Sequence, residues 1–416
     1  MNERLNTWYT EIKYCSHVVL MVELNLVDLF AAPGGMSLGF EMAGYNCRAA
    51  IDHYRDGCDT LSYNFPSAAV INEDIRKVTG KRILDETGLS RGEVDVITGG
   101  PPCQGFSNVG RVKIASLVRK GIWKLGNCEP RLIDDPRNLL YREFARIVVE
   151  LAPKFFVMEN VSGMVSYKDG KIISEIEKEL ISAGYVVDHK ILDAVNFGVP
   201  QHRRRVFFLG NKLGIPNSFP KDCNNSNDRE SPKEFVDVWG SIGDLPSLGQ
   251  GDGVEEMEYD KSAFHPYQEW ARAGSPKVFN HVARPHGQRD LVTFGHMQPG
   301  GKWKDLPGRI KESYGYRDDI FNDKFKRLRK DRPAWTVTAH LCKDGYVYIH
   351  PTQSRTITVR EAARLQSFPD KFVFKGSRSS QFKQVGNAVP PLLAKMIALE
   401  IKKAMTQLHP SLSVLA

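Results

Sequence analysis

Apolar positions along the chain fall into short runs that alternate with stretches of helical periodicity. The run Leu26-Val27-Asp28-Leu29-Phe30-Ala31 reads as a buried strand; it breaks at Ala32-Pro33-Gly34-Gly35 and resumes with Leu38, Phe40 and Met42 on a helix that ends at Gly44. Residues 47–51, 94–98, 155–158, 185–191 and 206–209 read as further strands, and 139–151 as a helix. Strands alternating with helices predict βαβ units and a mostly parallel sheet with helices on both faces, an α/β fold. Between about 212 and 335 this alternation disappears while Pro, Gly, Asp and His rise, as in Gln298-Pro299-Gly300-Gly301. Trp239, Trp270, Trp303 and Trp335 are spread through that stretch, so it reads as a loop-rich second domain, because disordered segments are aromatic-poor. After Pro390-Pro391 an amphipathic helix is predicted through Leu392, Leu393, Met396, Ile397, Ile401 and Met405. The expected organisation is an N-terminal extension (1–25), a catalytic domain (26–212, completed by 383–412) and a second domain (213–382).

Composition adds little to this. The 416 residues are 41% hydrophobic and 25% charged, ordinary for a folded chain. A net charge of +8 permits a polyanionic partner without requiring one. The seven cysteines (Cys15, Cys47, Cys58, Cys103, Cys128, Cys223 and Cys342) form no C-x-x-C pair, which favours free thiols in a reducing compartment over a disulfide framework or a zinc site. No apolar run reaches the ~18–20 residues needed to span a bilayer, and a cytoplasmic protein is expected.

The turn after the first strand, Phe30-Ala31-Ala32-Pro33-Gly34-Gly35, is rich in small residues and lets backbone approach a ligand. Asp52, about twenty residues on, is placed to accept ribose hydroxyls, while Phe30 with Asp74 and Ile75 suits a purine ring. Taken alone this is equally a generic α/β turn. There is no G-x-G-x-x-G to cradle phosphates, so ribose and base contacts fit better than a dinucleotide.

Gly99-Gly100-Pro101-Pro102-Cys103 follows a strand, at the edge where open α/β sheets bind ligands. Two prolines stiffen the backbone before the thiol. A cysteine is more often a core residue than a nucleophile, and it is the loop that favours the nucleophile here. Glu159, at the end of the next strand, would stand near that thiol in a partly desolvated site; burial would raise its affinity for a proton, although a turn or cap role is comparable for the Glu-Asn-Val tripeptide alone. In Gln201-His202-Arg203-Arg204-Arg205, extended backbone puts Gln201, Arg203 and Arg205 on one face and His202 and Arg204 on the other.

Taken in order, these segments resemble the cytosine-5 DNA methyltransferase family. The matching blocks are Asp28-Leu-Phe-Ala-Ala-Pro-Gly-Gly, Gly100-Pro-Pro-Cys-Gln-Gly-Phe-Ser, Asp135-Pro-Arg-Asn, Glu159-Asn-Val, Gln201-His-Arg-Arg-Arg, Arg364-Leu-Gln-Ser-Phe-Pro-Asp and Gln384-Val-Gly-Asn-Ala-Val-Pro-Pro. The resemblance implies a Rossmann-like S-adenosylmethionine-dependent domain with a smaller target recognition domain, and no metal. It implies that cytosine is flipped out of duplex DNA, that the Cys103 thiolate attacks C6, and that Glu159 steadies the exocyclic amine and N3. Arg203 and Arg205 resemble the arginines that orient the base and the catalytic loop. Phe30, Ala31, Gly34, Gly35, Asp52, Asp74, Ile75, Pro102, Asn387 and Ala388 resemble the contacts to S-adenosylmethionine, whose product is S-adenosylhomocysteine. Arg364 to Asp370 resembles the block that organises the recognition domain.

Three departures stand out. Ala32 occupies a position where the family often has glycine, Asp52 replaces a more usual glutamate, and residues 108–134 are longer than the usual loop. That loop carries Arg111, Lys113, Arg119, Lys120 and Lys124 and is expected to close over DNA phosphates. DNA contacts are expected from Gln104, Ser107, Arg111 and Lys113, and from Asn280, His281 and Arg284 with Gln288 and Arg289; the basic run from Lys324 to Arg332 is a further contribution. The implied enzyme is a monomer acting on nucleoid DNA alongside a restriction endonuclease. A tRNA cytosine-5 methyltransferase, a catalytically dead DNA-binding homologue and, remotely, a cysteine hydrolase are the competing readings.

Overall fold

The structure, a computed structural model, describes residues 23–102, 139–222, 235–315 and 324–408. The chain divides into two units. One holds the described parts of Val22–Asp193, Arg204–Lys221 and Ala394–Ala416, the other those of Ala194–Arg203 and Asp222–Leu393. The sequence placed the chain's return to the first domain at 383, whereas the division falls at Ala394, and the segment 194–203 also counts with the second unit.

The first unit is built on β1 (Leu24–Leu29), β2 (Tyr45–Asp52), β3 (Ala69–Asn72), β4 (Val96–Gly99), β5 (Phe155–Val161), β6 (Val186–Asp193) and β7 (Arg204–Asn211). They form a seven-stranded sheet in the order β3-β2-β1-β4-β5-β7-β6. Neighbours from β3 to β5 are parallel, and β7 runs antiparallel to both β5 and β6. Parallel neighbours need crossovers, and α1 (Gly35–Glu41), α2 (Arg55–Asn64), α3 (Gly80–Thr87) and α4 (Leu140–Leu151) lie in them, with α5 (Lys171–Ser182) between β5 and β6. In α4 the buried Tyr141, Phe144, Ala145, Ile147, Val148 and Leu151 repeat at helical spacing and join Val27, Ile97 and Phe156 in one core. Strand order reverses between β1 and β4, which makes the carboxyl ends of these strands the expected ligand crevice. This is the mixed α/β fold expected from the sequence.

Several strand boundaries differ from expectation and β3 was not expected; two of the differences matter for the site. β5 continues through Val161 instead of stopping at Glu159-Asn160, and β7 begins at Arg204 instead of Val206. The ladder pairs Glu159 with Phe207 and Val161 with Arg205. Charged and polar residues hid these strand ends because the apolar run stops before the hydrogen bonding does.

The second unit has little sheet, a short antiparallel pair of β8 (Glu256–Met257) and β9 (Val278–Phe279). Short helices α6 (Val238–Ile242), α7 (Pro266–Arg272), α8 (Gln288–His296), α9 (Gly308–Glu312), α10 (Val359–Leu365) and α11 (Arg378–Asn387) are linked by loops. It is ordered around two kinds of core. Phe294, Trp303 and Phe325 form an apolar cluster with Ile349, and Phe325 is stacked on Tyr346 at 4.6 Å between ring centroids. Elsewhere the core is ionic: the Arg364 guanidinium, fully buried, binds Asp370 (2.5 and 2.9 Å), Asp244 (2.5 Å) and the Ser241 carbonyl. Arg355 pairs with Glu361 in the same way (2.6 and 2.8 Å). The last helix, α12 (Pro391–Leu408), starts in this unit and continues in the first.

Candidate active site

The turn between β1 and α1 folds sharply because Phe30 and Ala32 both take left-handed backbone (φ 55 and 53°), followed by Gly34 at φ 96°. Asp52, at the end of β2, pins that turn: its Oδ2 accepts from the Ala32 N–H (2.9 Å) and its Oδ1 from the Tyr54 N–H (2.8 Å). An ionised carboxylate has about four acceptor sites, so two such bonds leave capacity for hydroxyls. At the end of β3 the side chain of Asp74 is held by Arg76 (Nε at 3.0 Å), which keeps its carboxyl down at about 2 and therefore charged. Ile75 beside it is buried.

Beneath the turn lies a group that the sequence offered only as a charged residue inside an apolar strand. Asp28 is wholly buried; its Oδ2 accepts from the Ser37 N–H (3.1 Å) and hydroxyl (2.5 Å), and its Oδ1 from the Thr98 hydroxyl (2.7 Å). Burial pushes its carboxyl up to about 6, against the hydrogen bonds from Ser37 and Thr98. It joins α1 to β4, the strand that runs into Gly99-Gly100-Pro101-Pro102.

That loop is fixed from β5. Asn160 donates from Nδ2 to the Pro101 carbonyl (3.1 Å) and accepts the Val161 N–H (2.8 Å). Next to it, Glu159 pairs with Arg205 of β7, Nε to Oε1 at 2.9 Å, with the two side chains 12% and 16% exposed. A Cβ placed on Gly100 would lie 3.3 Å from Glu159 Oε2, so the carboxylate stands directly against the loop. The geometry presents a charge-paired carboxylate, part open to solvent, beside the backbone that leads to residue 103. Cys103, Gln104, Ser107, Arg111, Lys113 and the long 108–134 loop lie outside the described residues.

In the second unit the expected alternation holds, with Gln201 and Arg203 buried and His202 exposed; in the first, Arg204 is exposed and Arg205 partly buried. Arg203 does not present a free guanidinium: Nη1 donates to the Val337 carbonyl (2.7 Å) and Nη2 to the Gly386 carbonyl (3.3 Å). Asn387 is exposed and Ala388 buried at the end of α11.

The expected base readers Asn280, His281 and Arg284 are buried and make hydrogen bonds inside their own unit. Asn280 bonds the Phe374 backbone on both sides (2.9 and 3.0 Å), and His281 spans Thr358 Oγ1 (2.8 Å) and the Pro246 carbonyl (2.9 Å). Arg284 donates to the Leu341 carbonyl (2.6 Å) with its guanidinium 4.2 Å over the Phe382 ring. All three are buried; the Asn280 and His281 side chains are bonded within their own unit, and Arg284 keeps Nη1 without a hydrogen-bond partner. In sequence they look like loop polar residues; only burial separates a buried bracket from a reader.

For the implied cofactor, the residues at the carboxyl ends of β1 to β3 fit the group. Asp52 and Asp74 supply acceptors suited to ribose hydroxyls and a purine amino group, and Phe30 and Ile75 supply apolar surface. Among the described residues no group of three His, Cys, Asp or Glu side chains is placed to hold a metal ion, and no helix is long and apolar enough to cross a membrane.

Known proteins agree with this architecture. The C-5 cytosine-specific DNA methylase family matches residues 24–403. The chain is 35% identical over 390 residues to the type II methyltransferase M1.HphI of Haemophilus parahaemolyticus, covering 94% of this chain and 90% of that protein. It is 37% identical over 398 residues to M.DdeI of Desulfomicrobium norvegicum (91% and 88% covered). Among solved structures it is similar to a candidate DNA modification methyltransferase encoded within an E. coli prophage, with TM-score 0.68, 26% identity, and 92% of this chain and all of that one covered. An Entamoeba histolytica methyltransferase (TM-score 0.54, 16% identity, 92% and 99% covered) shares the fold. With the family match spanning nearly the whole chain, and the carboxyl-edge site in place, the protein belongs to the C-5 cytosine-specific DNA methylase family.

Proposed function

We propose that this protein methylates carbon 5 of a cytosine flipped out of duplex DNA, through a covalent bond from Cys103 to C6, as the modification enzyme of a restriction–modification system. The observation that carries it is the Glu159–Arg205 pair set against the loop that leads to Cys103. S-adenosylmethionine, when bound, supplies an electrophilic methyl on a sulfonium. Phe30, Asp52, Asp74, Ile75, Pro102, Asn387 and Ala388 would hold it.

The chain's own residues do the rest. The Cys103 sulfur adds to C6 of the base, which makes C5 nucleophilic. Glu159 holds the N3 and exocyclic amino edge and compensates the charge that develops there. Arg205 keeps that carboxylate turned toward the loop and lowers the cost of its charge in a partly desolvated place. After C5 takes the methyl, a base removes the C5 proton and the C6–S bond breaks, returning the thiolate. Asn160, by tying Pro101, keeps the loop's backbone in register with Glu159. Type II relatives support the pairing with an endonuclease.

The test is trapping on duplex DNA containing 5-fluorocytosine, where fluorine cannot leave C5. A covalent adduct is expected with the natural chain and none with Cys103→Ser. An adduct independent of Cys103, or adducts on tRNA and not on DNA, would overturn the assignment. Bisulfite sequencing of plasmid from expressing cells then gives the methylated sequence.

A further inference from the structure

Gln366, which follows α10, is wholly buried. Its Nε2 donates to the carbonyls of Val385 (2.7 Å) and Ala388 (3.0 Å), and its Oε1 accepts from Gln201 Nε2 (2.5 Å). Gln201 Nε2 also donates to the Leu365 carbonyl (2.7 Å), and Gln201 Oε1 accepts the Val337 N–H (2.9 Å). Arg203 completes the set, bridging the carbonyls of Val337 and Gly386. A helix leaves its last four carbonyls without partners inside the helix. At the end of α11, side chains from two distant segments take those carbonyls. The fit is close: a Cβ on Gly386 would lie 2.2 Å from the Thr338 carbonyl carbon and the Ala339 nitrogen, so backbone lies directly on backbone.

Buried amides and guanidinium groups are costly unless every bond is made, and apolar residues of the same size would fill this space at less cost. What the polar set adds is direction. It fixes the carbonyls on either side of Asn387 while leaving Asn387 itself exposed. We propose that Gln366 is a positioning residue for the cofactor segment Asn387-Ala388, and that Arg203 acts on that same segment instead of on the target base. The inference rests on the proposed role of Asn387 and Ala388 in holding S-adenosylmethionine.

The experiment uses the full chain and measures S-adenosylhomocysteine binding by titration calorimetry, with no turnover involved. Gln366→Met keeps length and removes both donors. Gln268→Met is the control for general loosening, because Gln268 is equally buried in the same unit but donates to the Trp239 carbonyl. Gln366→Met is expected to raise the Kd about tenfold, as befits the loss of its two hydrogen bonds to that segment, acting at one remove. KM for S-adenosylmethionine should rise in step while kcat at saturating cofactor holds, and Gln268→Met should lower the melting temperature without moving the Kd. Arg203→Lys should behave like Gln366→Met. An unchanged Kd in Gln366→Met, or equal rises in both glutamine variants, overturns the proposal. Absence of binding by the natural chain instead sinks the cofactor assignment itself, and this inference with it.

Discussion

Ala32 carries a left-handed backbone angle that costs an L-residue about 1 kcal/mol or more, and it does so in the turn closest to the expected cofactor. Its N–H bond to Asp52 keeps it there. Ala32→Gly should therefore stabilise the chain by about 1 kcal/mol, read as a shift in the urea midpoint at constant slope; a loss of stability would mean that the strain is relieved by contacts not yet named. Asn280 also has a positive φ (57°), which asparagine tolerates, and its amide ties two distant segments together. Asn280→Ala and His281→Ala should each cost about 2–3 kcal/mol, the penalty for orphaning buried partners. The methylated DNA sequence should stay the same in both. A changed target sequence in either variant would restore them as readers.

One element pair, β5 with β7, builds the ion pair on which the proposed chemistry rests. The antiparallel register puts Arg205 opposite Val161 and lets its Nε reach Glu159 two residues back along β5. Lysine carries the charge but not the planar fork. Arg205→Lys should leave the sheet folded and cofactor affinity unchanged, and reduce the single-turnover methylation rate on the order of 10²-fold, the scale of one lost electrostatic stabiliser. A rate within a few-fold of the natural chain would show that Glu159 needs no guanidinium. Much of this pair was legible beforehand: Glu159 and the alternation through Arg205 are visible as residue types. The contact was not, because the two strands are antiparallel partners separated by α5 and β6, and no local pattern announces which strands become neighbours.

At the scale of the whole molecule, the two units should answer pH in opposite senses. Burial holds His350 neutral, pushed down to about 3, and pushes His286 down to about 4. A histidine with a lowered folded value contributes stability above its unfolded value near 6.5, which is lost as pH falls toward the folded value. For the fully buried His350 that slope is about 1.4 kcal/mol per pH unit below 6.5. Asp28 in the sheet unit has a raised value of about 6, so its burial penalty is absent below about 4 and grows as pH climbs to 6. Calorimetric scans from pH 7.5 to 4.5 should show a transition of the second unit falling while the Asp28 contribution raises that of the first, and Asp28→Asn should flatten the first unit's dependence. Two transitions that move together over that range would contradict this.

By itself the sequence determined the α/β class, the family and the residue types at the site, because those depend on local periodicity and on short motifs whose order survives folding. Tertiary structure decided what the same residue types do. It ran β5 on to Val161, turned Arg203 toward carbonyls of its own unit and buried Asn280, His281 and Arg284 as brackets. It also made Asp28 and Gln366 into ties between segments far apart in the chain. The physical reason is desolvation: a polar side chain must find partners once it leaves water, and which partners are in reach is a property of the folded chain.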